Sequence, residues 1–241
     1  YDARPTIAVP YPKEERGAID LDGYFGLHPD LADLIPFWKN KTLAFIHACG
    51  SLDPTRSHFD AQDYMESGTP GIKNTPDGWM NRLLAALSQQ KPEPTQALNI
   101  GVAIPRILEG KMTVANLSPG KNATKLQPVD RPEVYTAFDR LYSDNDTLSQ
   151  AYQEGRKARE ILMSQLDSEM VSASKGAPAT DNFINDAKKI AKLMIGDAKT
   201  QIAFMDFGGW DSHINQKELL NQYLKPLGRG LATLVQDLHP I

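Results

Sequence analysis

Two stretches of the 241-residue chain concentrate side chains that can do chemistry. The first is Gln201-Ile-Ala-Phe-Met-Asp-Phe-Gly-Gly-Trp-Asp-Ser-His213. Ile202 to Met205 is apolar and β-prone, which predicts a short buried strand. The chain then breaks at Gly208-Gly209, where it can turn without a Cβ penalty. A carboxylate and an imidazole follow at once. Asp211 and His213 are two positions apart, so in an extended loop both can point the same way, as two metal ligands need. The alternative is structural: Asp211 or Ser212 caps the long helix that follows.

The second stretch is Ser51-Leu-Asp-Pro-Thr-Arg-Ser-His-Phe-Asp-Ala-Gln-Asp63. Ser57 and Thr55 offer hydroxyl nucleophiles. Arg56 can clamp an oxyanion through two parallel hydrogen bonds. His58 can bind metal or act as acid or base. A helix beginning near Phe59 would add the anion attraction of its free N-terminal amides. Here too a structural alternative stands, with Ser57 as N-cap and Asp60 in the first turn.

The elements that must position these loops read as an alternation of strands and helices. Leu43 to Cys49 is apolar throughout and predicts a second strand covered on both faces, with His47 and Cys49 buried inside it. Ala97 to Ile104 and Met112 to Leu117 read as further strands. Helical spacing marks Asp30 to Lys39, Asp77 to Ser88, Arg131 to Tyr142, Leu148 to Ser168, Phe183 to Met194 and Asn215 to Leu238. The last carries a leucine stripe that reads as core packing, with Pro226, Gly228 and Gly230 expected to kink or weaken it. Tyr1 to Asp22 is rich in Pro and charge and reads as extended surface chain. His28 precedes Pro29 and is expected to fix that turn by a hydrogen bond. Ser172 to Thr180 has small residues and predicts a mobile connection. The fold class implied is α/β with a mostly parallel sheet.

Composition narrows the function classes. Hydrophobic residues make up 41 % and charged residues 23 %, as in a globular protein with a substantial core. The net charge of −4 and the lack of a basic block argue against a nucleic-acid partner. No run approaches a transmembrane segment. With the single Cys49 an intrachain disulfide is excluded. The sequence shows no phosphate-binding glycine loop and no cysteine-based metal site, and it leaves the oligomeric state open. The ends, Tyr1 and His239-Pro-Ile241, read as those of a processed or cut chain.

Three phrases resemble one family. Phe25-Gly-Leu-His-Pro29, Asp53-Pro-Thr-Arg-Ser-His-Phe59 with Gln62-Asp63, and Gly208-Gly-Trp-Asp-Ser-His213 with Gln216 are similar to those of the domain of unknown function 1501 family, bacterial proteins usually exported with a twin-arginine signal. The resemblance implies a periplasmic or secreted protein and a relationship to the alkaline phosphatase and sulfatase superfamily. With that come a three-layer sandwich around a mostly parallel sheet and a two-metal site at the carboxyl ends of the strands. Residues 1–241 are then one alkaline phosphatase-like domain truncated at both ends, because the family's earlier Asp-Gly and later Asp-His-Gly segments have no counterpart in it.

Carried over by position, Ser57 or Thr55 takes the nucleophile's place and Arg56 the oxyanion contact. His58 becomes an accessory ligand or acid, and Asp211 and His213 become ligands of one divalent metal, Zn, Mn, Mg or Ca. The implied activity is hydrolysis of a small anionic phosphate or sulfate ester. The alternative is a non-catalytic periplasmic binding or scaffold protein that keeps the fold, and a phosphomutase-like enzyme is a weaker third.

Overall fold

A computed structural model describes residues 4–87, 93–120, 127–173, 181–210, 212 and 214–238. In chain order the strands are β1 (Ile19–Asp20), β2 (Gly26–Leu27), β3 (Ala97–Ile100), β4 (Ala115–Leu117) and β5 (Ile202–Met205). The α-helices are α1 (Ile35–Lys39), α2 (His58–Ser67), α3 (Trp79–Leu87), α4 (Pro132–Leu141), α5 (Thr147–Ala173), α6 (Asp181–Ile195) and α7 (Gln216–Leu238). The chain is mixed α/β, and its contacts divide it into two compact units.

One unit comprises 1–47, 177–191 and 207–241. Its β1–β2 hairpin is antiparallel. Asp20 accepts from the Gly23 amide at 2.8 Å, and Asp22 accepts from the Tyr24 and Phe25 amides at 3.1 and 2.7 Å. Gly23 takes a φ of 84°, where a side chain would be strained. Behind the hairpin, Leu27, Leu34, Phe37 and Ala232 form a buried cluster. Helix α7 runs through Pro226 unbroken and packs on the 3-10 turn Pro29–Leu34. Its most buried positions are Gly228, Gly230 and Ala232, not the leucines, and Leu231 is left exposed. A Cβ on Gly228 would sit 3.2 Å from Leu31, and one on Gly230 would sit 2.3 Å from the Phe183 ring. The glycines expected to weaken this helix are instead where it is approached most closely.

His28 does fix its turn: Nδ1 accepts from the Asp30 amide at 3.2 Å. Burial holds this imidazole below its ordinary pKa, against the opposing pull of Asp30. The folded state therefore binds the proton less readily than the unfolded chain does. The His28 contribution is fully present above the unfolded value of about 6.5 and is lost as pH falls through that value towards the depressed one. Thermal melts from pH 8 to pH 5 should show a loss on the acid side that is smaller in His28→Asn, which keeps an acceptor without a titrating ring.

The segment expected as a strand from Leu43 to Cys49 is not one. Leu43 and Phe45 pack on the buried cluster, while Ala44 and Ile46 face out. The chain turns at His47 and Ala48, the latter at a φ of 53°, and no strand pairs with the segment among the described residues. A continuous apolar run marks a segment that can bury side chains, whereas a strand also needs a ladder partner. His47 accordingly is exposed and stacks on Phe25 at 4.0 Å instead of sitting in a core. Cys49 is exposed as well.

The other unit comprises 48–176 and 192–206. Its sheet is parallel with strand order β4-β3-β5. The central β3 is buried at every position, including the polar Asn99, whose Nδ2 donates to the Ala103 carbonyl at 2.9 Å and to Asn116 Oδ1 at 2.7 Å. Leu84, Ala97, Ile107, Leu108 and Ile202 pack around it. Strand β3 ends at Ile100, short of the expected Ile104, where Gly101 turns the chain and Val102 is almost fully exposed, and β4 begins at Ala115 instead of Met112. Helix α5 continues to Ala173, and residues 174–180 of the expected connection lie outside the described residues. Gly155 lies inside α5, and a Cβ there would meet nothing within 4 Å. Gly155→Ala should therefore raise stability by about 1 kcal/mol, the ordinary helix-interior difference, measured as a shift of the urea midpoint.

Candidate functional site

The loop before α2 is built from oxygens at alternate positions. Ser51 Oγ accepts from the Asp53 amide at 3.2 Å, and Asp53 Oδ1 from the Thr55 amide at 2.9 Å. Thr55 Oγ1 then accepts from the Ser57 amide at 3.2 Å, and Ser57 Oγ from the Asp60 amide at 3.2 Å. Ser and Asp side chains offer the backbone local acceptors of this kind, which is why they dominate turns and caps. Ser57 is thus the N-cap of the ten-residue α2, with Asp60 in its first turn.

The same alternation sorts the reactive types. Ser51, Asp53, Thr55 and Ser57 are half-buried, while Leu52, Pro54, Arg56 and His58 are exposed. Arg56 and His58 share the outward side of the loop, and the two hydroxyls share the inward side. Helix α2 is held from behind: Arg106 Nε donates to Asp63 at 3.0 Å, and the Ile107 amide donates to Glu66 at 2.8 Å.

The second loop leaves β5 at Asp206. Gly209 has a φ of 95°, and a Cβ there would lie 2.7 Å from Tyr223 Oη, so only glycine fits. Trp210 Nε1 donates to the Phe207 carbonyl. The rings of Phe207, Trp210 and Tyr223 lie 5.5 to 5.7 Å apart, and Phe183 adds a contact to Phe207 at 4.4 Å. This aromatic box fixes the turn that leads to Asp211 and His213. Those two residues lie outside the described residues. Among the described residues no three His, Cys, Asp or Glu side chains gather as a metal site would require.

A family model described as "Protein of unknown function (DUF1501)" matches residues 43–240. The chain belongs to the DUF1501 family. Both reactive loops fall inside the match, whereas Phe25-Gly-Leu-His-Pro29 falls before it. No curated protein and no solved structure matches the chain.

For this DUF1501 chain the sequence pointed to the loop residues but missed what supports them. Arg106 and Tyr223 carried no signal of their own. Arg106 also donates to the carbonyls of Thr75 and Pro76, tying three separate segments together. Nothing in local spacing announces so distant a set of partners.

Among the described residues no helix is long and apolar enough to cross a membrane.

Proposed function

We propose that the protein is an exported, metal-dependent hydrolase of phosphate or sulfate esters. What carries this reading is the N-terminus of α2, where Ser57 is flanked by the exposed Arg56 and His58. Free amides at a helix N-terminus attract an anion, and a guanidinium beside them can take two of its oxygens. Ser57 Oγ is the nucleophile in this reading, with Thr55 Oγ1 as the alternate. Its oxygen accepts one amide but keeps its own proton to give away. Arg56 steadies the charge that develops on the ester oxygens, and His58 supplies or removes a proton.

Asp211 and His213 are the ligands for a divalent metal in the same reading, and their donor types suit Zn or Mn and, less well, Mg or Ca. Bound there, the metal would supply a Lewis-acid charge for the ester. The alkaline phosphatase-like three-layer arrangement, a twin-arginine signal and a periplasmic or secreted location belong to this proposal too.

The test uses the complete natural protein with aryl phosphate and aryl sulfate and each metal in turn. Purified protein should carry near-stoichiometric metal by mass spectrometry, and Asp211→Ala should lose both metal and turnover. A second reading, a non-catalytic binding or scaffold protein, is favoured by the engagement of each inward side chain of the 51–57 loop with a backbone amide. Metal-free protein without turnover would decide for it.

A further inference from the structure

We propose that the cleft between α5 and residues 129–135 is a binding site for an uncharged, flat, largely apolar aromatic molecule, independent of the ester hydrolysis proposed above. The cleft has a volume of about 730 Å³ and is lined in part by Val129, Tyr135, Ala151, Tyr152, Gly155 and Met163. Small-molecule sites run from roughly 300 to 1,000 Å³ and are mostly apolar with a few polar groups.

The helix face that borders the cleft is bare and exposed at Ala151 and Gly155. Glycine inside a helix is unfavourable, and a neighbour packed closely against it can offset that cost. That reason applies to Gly228 and Gly230 of α7 but not to Gly155, which is exposed and where a Cβ would meet nothing within 4 Å. Its bare backbone forms part of the lining, one turn after Ala151 on the same face. Two small residues in succession leave room above the helix.

The charges on the walls are matched internally. Arg159 donates to Asp130 from Nε at 2.6 Å and from Nη2 at 2.5 Å. Arg156 bonds Asp139, donates to Tyr135 Oη at 2.5 Å and lies 4.0 Å over the Tyr135 ring. Tyr152 Oη donates to Asp139 at 3.0 Å, and burial holds this phenol above its ordinary pKa, so it stays a donor. Glu160 adds a carboxylate to the lining. With both guanidiniums matched and one carboxylate in excess, the walls offer an anion no net attraction. One polar handle remains. Tyr135 Oη accepts from Arg156, and its own proton has no acceptor among the described residues. A ligand with one hydrogen-bond acceptor beside its ring would meet it.

The experiment titrates the protein with N-phenyl-1-naphthylamine by fluorescence. In parallel it uses 8-anilinonaphthalene-1-sulfonate, which has the same rings plus a sulfonate. The uncharged probe should bind saturably at one site, and the sulfonate should bind at least about tenfold more weakly, a difference of roughly 1.4 kcal/mol. Gly155→Leu and Ala151→Phe fill the cleft from two adjacent turns and suit a helix. Each should weaken the uncharged probe by about tenfold or more while the circular dichroism is unchanged. Tyr135→Phe should weaken it less. Non-saturable binding, equal binding of the two probes, or unchanged binding in whichever filled variant folds would each overturn the proposal.

Discussion

Ser57→Asn leaves the melting temperature near that of the parent and lowers ester turnover by about a thousandfold or more, the scale on which losing a nucleophile is felt. Ser57→Ala should lose the same turnover and about 1 kcal/mol of stability besides. The two variants separate the roles this residue holds. Its oxygen accepts from the Asp60 amide and caps α2. Asn caps as well as Ser, so the helix keeps its first turn, but an amide cannot attack phosphorus or sulfur. Equal turnover in Ser57→Asn and the parent would assign Ser57 to the cap alone and move the chemistry to another group, Thr55 first. The measurement pairs thermal melts with steady-state kinetics on aryl phosphate.

The largest loss of stability should come from Asn81→Ala, at roughly 3 kcal/mol by urea denaturation, because one buried and two part-buried backbone groups lose their partner at once. Asn81 is 2 % exposed. Its Nδ2 donates to the Leu108 and Met112 carbonyls, each at 2.9 Å, and its Oδ1 accepts from the Met112 amide at 3.0 Å. Against a typical total of about 5–15 kcal/mol the change is severe. It also reaches the candidate site. The segment that Asn81 holds is the one whose Arg106 and Ile107 grip α2. Asn81→Asp should be no rescue, since it keeps the acceptor, loses the donors and buries a charge. A midpoint within error of the parent would show that the 106–112 segment is held by its neighbours instead.

Where the sequence was legible, one local rule sufficed. Ile202 to Met205 is a strand because four apolar residues end at a glycine turn, and it is found at those residues. Ser57 followed three positions later by Asp60 announces a cap, and the cap is formed. Leu43 to Cys49 misled because its side chains satisfy the pattern of a strand while its backbone has no described strand beside it. Pairing is decided by a distant segment, which periodicity does not see. The leucines of α7 misled in a smaller way. The closest approach is made by Gly228 and Gly230, since backbone contact rewards the absence of a side chain. The division of the 51–58 loop into an inward row of oxygens and an outward Arg56 and His58 needed the hydrogen bonds themselves.

The strand order β4-β3-β5 has a consequence for how the chain is made. Strand β3 is central, yet one of its neighbours is the last of the described strands in chain order. Gln96 and Gln201, whose side chains meet beside that pairing, are 105 positions apart. At about 5–20 residues per second of translation, one edge of the central strand waits several seconds for its partner. So long a delay between neighbours also makes for slow refolding. A chain emerging from the ribosome would carry the backbone donors and acceptors of 97–100 unpaired on that edge for the whole interval, open to mispairing before its sheet can close.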